Sequence, residues 1–289
     1  MTLFYQDLLQ YEFLQKALFT SIMVGIICGV IGSFIVLRGM ALIGDAISHA
    51  VLPGVAISYM LGINFFYGAV VTGMLTAVGI GYINQNSRIK NDSAIGIVFS
   101  AAFALGVILI AKANTSTDLN RILFGNVLAV RSSDMWMTLI IGAIVLLTVI
   151  LFYKELLVST FDPTFAAAYG LPNRFIHYVI MILLTMVTVA SLQTVGIILV
   201  VAMLITPAST AYLLTNRLWM MILLAAIFGA ISSVIGLYFS FVYNLSSGAV
   251  IVLVATALFL IAFLFSPKQG MLWRSLRSKK KKVHVQESI

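Results

Sequence analysis

The sequence predicts an all-α integral membrane protein, a polytopic helical bundle of about nine transmembrane helices. Three observations lead there. Hydrophobic residues make up 62% of the 289 and charged residues only 9%, whereas a soluble domain is about a quarter charged. Mean hydropathy is +1.11. Apolar runs of about 20 residues, enough to cross roughly 30 Å of hydrocarbon, recur from Ala17 to Phe265. A conventional soluble core is excluded. Lipid cannot satisfy backbone N–H and C=O groups, so the runs must be helices.

In chain order the spans fall at residues 17–37, 41–61, 64–83, 94–112, 134–153, 176–193, 195–215, 218–240 and 248–265. The separations at 62–63 and 193–195 are short enough to merge or break helices, which leaves eight as the alternative count. Residues 1–16 mix apolar and polar positions and read as an interfacial segment. The transmembrane domain covers 17–266, and 267–289 form a basic tail. Between spans lie a polar loop at 84–93 (NQNSRIKNDS), a longer connection at 113–133 with a short helix-like middle, and another at 154–175. No internal repeat is visible.

Charge sets the orientation. The net charge is +8, and seven of the seventeen Lys/Arg residues lie between Lys268 and Lys282. Nine spans with the tail inside place thirteen basic residues on the cytoplasmic side and four outside, namely Lys16, Lys112, Arg121 and Arg131. That asymmetry predicts a multi-pass protein of the cell membrane with a cytoplasmic C-terminus. The tail reads as a cytoplasmic flank that can touch anionic lipid rather than as a nucleic-acid site. No cleavable signal is expected, since Asp7 and Glu12 stand where a basic region would be.

The single cysteine, Cys28, makes neither a disulfide nor a cysteine-rich metal site. No G-x-x-x-x-G-K-[ST], H-E-x-x-H or G-x-S-x-G pattern occurs. The chain therefore carries no phosphate loop of its own for ATP.

The exception to the apolar pattern is MALIGDAISHAVLPGVAISYMLG, residues 40–62. Asp45 and His49 stand four positions apart, which puts them on one helix face about 6 Å apart along the axis. A carboxylate deep in a span costs about 2.5–3.5 kcal/mol on insertion scales, so this face should meet protein or a water-filled path. Carboxylate oxygen and imidazole nitrogen suit Mn(II), Zn(II) or Fe(II). One chain supplies two such ligands, and a two-fold dimer with this face on its axis would supply four. The competing readings are an internal Asp–His hydrogen bond and a helix-start cap beside Gly44.

The other polar groups are weaker candidates. His177 sits beside Tyr178 at an interfacial position, and His284 lies in the tail. Asp92, Asp134 and Glu155 border spans, and Asp118 lies in the outer connection. The stretch FDPTFAAAYGLP, 161–172, is either an ordinary linker or a short helix that docks a cytoplasmic partner. Pro207, within QTVGIILVVAMLITPASTAYLL, should kink its span. GIICG at 25–29 matches the small-xxx-small packing pattern, common in membrane helices.

GSFIVLRGMALIGDAISHAVLPGVAISYMLG (32–62) strongly resembles the permease subunits of manganese/zinc/iron-uptake ABC importers. DSAIGIVFSAAFALGVIL (92–109), LNRILFGNVLAV (119–130), FDPTFAAAYGLP (161–172) and TVGIILVVAMLITPASTAYLL (194–214) support the resemblance, which covers the chain from about residue 15 to 265. It implies a homodimeric permease with a separate cytoplasmic ATPase and an extracellular metal-binding lipoprotein. It also implies that Asp45 and His49 contact the metal and that 161–172 is the coupling helix on the ATPase. The permease would then be no enzyme and hold no permanent cofactor. Its cargo would be a divalent metal ion, Mn2+ before Zn2+ or Fe2+. The rival readings are a secondary metal carrier not driven by ATP, disfavoured by the scarcity of intramembrane carboxylates, and a membrane metallo-enzyme, which usually needs more ligands per chain.

Overall fold

The computed structural model describes residues 10–112 and 127–266. Among these residues every regular element is helical. In chain order they are α1 (Glu12–Leu37), α2 (Ala41–Ala50), α3 (Leu52–Leu61), α4 (Phe65–Asn86) and α5 (Asn91–Lys112). After a 3₁₀ turn at Val127–Ala129 come α6 (Ser132–Leu151), α7 (Tyr153–Phe161), α8 (Pro163–Ala168), α9 (Asn173–Val195), α10 (Ile197–Leu214), α11 (Leu218–Tyr243) and α12 (Ser247–Phe265). Nine spans among the described residues are long and apolar enough to cross a bilayer, with α2 and α3 together forming one, Ala41–Leu61.

The eight-span alternative does not hold. Gly62, at φ 68°, lies in the first of these separations, and Gly196, at φ 85°, directly follows the second; both adopt backbone that other residues rarely do. These stop the helices on either side instead of letting them merge. Two further differences from the sequence reading concern lengths. The first helix begins at Glu12, not Ala17, so residues 12–16 continue the helix. The connection at 154–175 contains two short helices, α7 and α8. Neither is long enough to register in a search for bilayer-length runs. The interfacial segment through residue 9, Asp118 and Arg121 with the middle of the 113–133 connection, and the basic tail with His284 lie outside the described residues.

Helix α1 forms the centre of the bundle, packed on α11, α10, α6 and α9. GIICG explains the close approach to α11. A Cβ on Gly25 would sit 2.6 Å from the carbonyl oxygen of Gly229, and one on Gly29 would sit 2.6 Å from that of Ala225. Only backbones without side chains can cross this closely. Ser233 Oγ seals the crossing, donating towards Ser21 O at 2.8 Å and Gly229 O at 2.9 Å. The outer helices expose Ile108 of α5, Ile150 of α6 and Leu253 of α12, as lipid-facing surfaces should.

The spans alternate in direction. The corner between α1 and α2 therefore lies at the same end of the bundle as α7 and α8, and the start of α10 lies at the opposite end. The corner is rigid. Gly39, at φ 65°, donates to Val36 O at 3.1 Å, and Met40 donates to Ile35 O at 3.0 Å. This is a Schellman closure, with Met40 and Ile35 both buried.

Candidate metal-transfer site

Helix α2 has two faces. Ile43, Ile47 and Ala50 are buried, and a Cβ on Gly44 would meet Leu204 Cδ1 at 2.9 Å, so α10 approaches closely there. The opposite face carries Asp45 and His49. Two residues past His49 the helix is interrupted at Val51, because Pro53 has no N–H for the carbonyl one turn back. Thr72 Oγ1 of α4 lies 3.4 Å from Val51 O, close to this break.

Asp45 Oδ1 lies 3.6 Å from His49 Nε2. That is too long for a hydrogen bond. Two ligand atoms each about 2.1 Å from one ion stand roughly 3.0–3.4 Å apart, so a small inward shift would let both bind the same cation. The internal Asp–His reading survives only as an i,i+4 ion-pair contact at this distance, and no side chain caps the start of α2, whose N-cap position is Met40.

The environment orients the imidazole. Phe99 and Phe103, one turn apart on α5, meet the His49 ring edge-to-face at centroid distances of 5.7 and 5.8 Å. His49 Nδ1 is buried against them with no hydrogen-bond partner. The ring nitrogen that faces Asp45 is Nε2.

The pair borders an open cleft of about 450 Å³ whose other wall includes Ile197, Val201, Ile205 and Thr206 of α10, with Val252 of α12. The cleft runs along α10 from its first turn at Ile197 to Thr206, about 14 Å of helix. The Asp45 side chain is 47% exposed and that of His49 is 24% exposed. Among the described residues, no group of three or more His, Cys, Asp or Glu side chains comes together. A carboxylate this open about one turn inside a span must be covered by water or by another protein surface.

The remaining polar groups stay apart. His177 meets Tyr178 edge-to-face at 5.9 Å and has a buried Nε2 without a partner. Cys28 is buried, its sulfur 3.8 Å from Ser191 Oγ. Asp92 is exposed at the start of α5, and Asp134 sits in the first turn of α6. Glu155 is more than a flanking residue, because its Oε2 is buried without a partner.

The stretch 161–172 folds into α8 and its caps. The Asp162 carboxylate accepts from the Phe165 N–H at 2.9 Å and from Thr164 Oγ at 2.6 Å. The Thr164 hydroxyl first, and then the Phe165 amide, hold its carboxyl below the usual aspartate range. Pro163 opens the helix with its φ already set. Gly170, at φ 85°, ends it, with Leu171 donating to Ala166 O at 2.9 Å. Ala166 is buried, while Phe165 and Tyr169 stack outward at 57% and 78% exposure. The short helix thus presents aromatic rings beyond the ends of the spans.

Asp45, His49 and α8 were legible in the sequence. Phe99 and Phe103 were not singled out, although their i, i+4 spacing could have shown an aromatic pair on one face. Pro207 is buried inside a continuous α10, next to the cleft residue Thr206.

The ABC 3 transport family model matches residues 10–266. A manganese transport system membrane protein, MntC of Listeria innocua, is 70% identical over 97% of this chain and 99% of its own. A manganese import system permease protein, ScaB of Streptococcus parasanguinis, is 54% identical over 93% of this chain and 96% of its own. The solved structure of PsaBC from Streptococcus pneumoniae in complex with Fab contains a chain of the same fold. Its TM-score is 0.85 and its identity 54%, with 96% of this chain and 100% of that one covered. Nine apolar spans, a carboxylate–imidazole pair on an open cleft and these relatives agree: the chain belongs to the ABC 3 transport family, as a membrane-spanning transport subunit and not an enzyme.

Proposed function

We propose that this chain is the permease half of an ATP-driven importer that moves a divalent transition metal, manganese before zinc or iron, across the cell membrane. The observation that carries the reading is the 3.6 Å Asp45–His49 pair facing an open cleft inside the membrane. The relatives at 70% and 54% identity, a manganese transport membrane protein and a manganese import permease, support manganese as the cargo. Two ligands on one open face call for a second copy. A two-fold axis beside α2 would bring two carboxylates and two imidazoles together and cover the exposed carboxylate.

ATP hydrolysis belongs to a separate cytoplasmic subunit, and the outward aromatic face of α8 is its seat. A separate extracellular metal-binding protein delivers the ion. With the basic residues inside, α8 faces the cytoplasm, and the cleft then leads from Asp45 and His49 towards the outer side at Ile197. An ion arriving there exchanges part of its hydration shell for oxygen and nitrogen ligands. Rocking of the two permease copies, driven through α8, moves the opening to the other side. The basic tail and its contact with anionic lipid are part of the same reading.

The test is uptake of radiolabelled manganese by vesicles containing the permease, its ATPase and the loaded binding protein. Uptake that requires ATP and disappears in Asp45→Ala and His49→Ala supports the proposal. Uptake that persists without ATP would instead establish a secondary carrier.

A further inference from the structure

We propose that Arg38 is the positioning residue that carries movement of α8 to the helix bearing Asp45 and His49. The inference rests on the proposed roles of α8 and of that pair.

Arg38 lies in the corner between α1 and α2. Its guanidinium donates from Nε to Thr160 Oγ1 at 3.2 Å and from Nη2 to Ser159 Oγ at 3.0 Å. The acceptors are more than 120 residues away in sequence, in the last turn of α7. The carboxyl end of that helix carries partial negative charge and favours a cation. The planar fork of arginine reaches two neighbouring hydroxyls at once, which a lysine ammonium does less well.

The link is poorly suited to stability alone. Among the described residues Arg38 has no carboxylate within ion-pair distance, and burial pulls its guanidinium down to about 10. It remains charged at neutral pH. Neutral hydroxyls only partly offset the cost of removing a cation from water. A cation is favoured at this cytoplasmic flank of the spans, and what sets Arg38 apart is that its fork is tied to two hydroxyls at the end of α7.

Both ends of the link are stiff. On one side, the Schellman corner at Gly39 and Met40 leads directly into α2, and Asp45 follows seven residues after Arg38. On the other side, Asp162 donates its N–H to Val158 O at 2.9 Å, which closes α7, while its carboxylate caps α8. One shared residue therefore joins the turn that holds Arg38 to the helix proposed to meet the ATPase. A displacement of α8 pulls the end of α7, the guanidinium and the amino end of α2 together. The metal ligands lie one to two turns further on.

The test uses the permease–ATPase complex in vesicles with the metal-binding protein and reads manganese moved per ATP hydrolysed. Assembly and manganese binding are measured alongside. Arg38→Gln should lower the ratio about tenfold while assembly, hydrolysis and binding persist. Ser159→Ala with Thr160→Val should lower it similarly, and combining these with Arg38→Gln should add little, since one link is lost only once. Arg38→Lys should restore part of the ratio. An unchanged ratio in Arg38→Gln, or losses that add in the combined variant, overturns the proposal. If Arg38→Gln fails to assemble, the hydroxyl variant, which leaves the charge in place, decides by the same ratio. Changes at Tyr169 and Gly170 separate the two readings. A lowered ratio there with a normal one in the Arg38 and hydroxyl variants rejects the link alone. A normal ratio there rejects the role of α8.

Discussion

Asp45 Oδ1 faces His49 Nε2 at 3.6 Å across one turn of α2, with the two rings of α5 behind the imidazole. The pair is too far apart for a hydrogen bond and close enough to share an ion. Asp45→Asn keeps the size and removes the charge. It should reduce manganese uptake at least tenfold while leaving the amount of assembled complex unchanged, as measured by transport assay and gel filtration.

Phe99 and Phe103 hold the imidazole without bonding to it. Loss of groups that orient a metal ligand typically costs 10- to 100-fold in affinity. Phe103→Ala should therefore weaken manganese binding about tenfold, read by titration of the purified complex, with the ligands themselves intact. Unchanged affinity would show that α2 alone fixes the ring.

The α1–α11 crossing depends on Gly25 and Gly229. A Cβ on Gly25 falls 2.6 Å from a backbone oxygen, which no rotamer change can relieve. Overpacking typically costs about 1–3 kcal/mol. Gly25→Val should lower the midpoint of thermal unfolding in detergent and the yield of folded protein. Ala226→Val on the same helix pair, at a partly buried position, should do less.

The cap of α8 is an exposed carboxylate held below its usual range. Its contribution is present above the ordinary aspartate value and is lost only as pH falls through the lower folded value. Asp162→Ala should therefore raise hydrogen exchange at the Phe165 amide throughout the neutral range. Wild-type protection there, relative to the intrinsic exchange rate at each pH, should stay constant until strongly acid pH. If α8 seats the ATPase, the same variant should also lower manganese moved per ATP.

Most of the fold was legible because lipid imposes one rule, that apolar runs of bilayer length are helices. The boundary between two touching runs was not legible from hydropathy, and it was decided by the positive φ at Gly62 and Gly196. Helix α8 was legible only as one of two readings of 161–172, through its caps Asp162 and Gly170, and α7 was not singled out because it is too short for a bilayer-length run. Asp45 and His49 were found because charge and polarity are conspicuous in an apolar run. Phe99 and Phe103 were hidden for the opposite reason, because aromatic residues in a span look like any lipid-facing surface. The Arg38 link was hidden because its acceptors are serine and threonine hydroxyls, far away in sequence and common in every helix.

The most direct measurement is electron paramagnetic resonance of Mn(II) bound to the purified permease–ATPase complex, read for coupling to imidazole nitrogen. Nitrogen coupling in the wild type, its disappearance in His49→Ala and loss of bound Mn(II) in Asp45→Ala are expected. Bound manganese with no nitrogen coupling, or with the same coupling after His49→Ala, would contradict the assignment of this pair as the metal site.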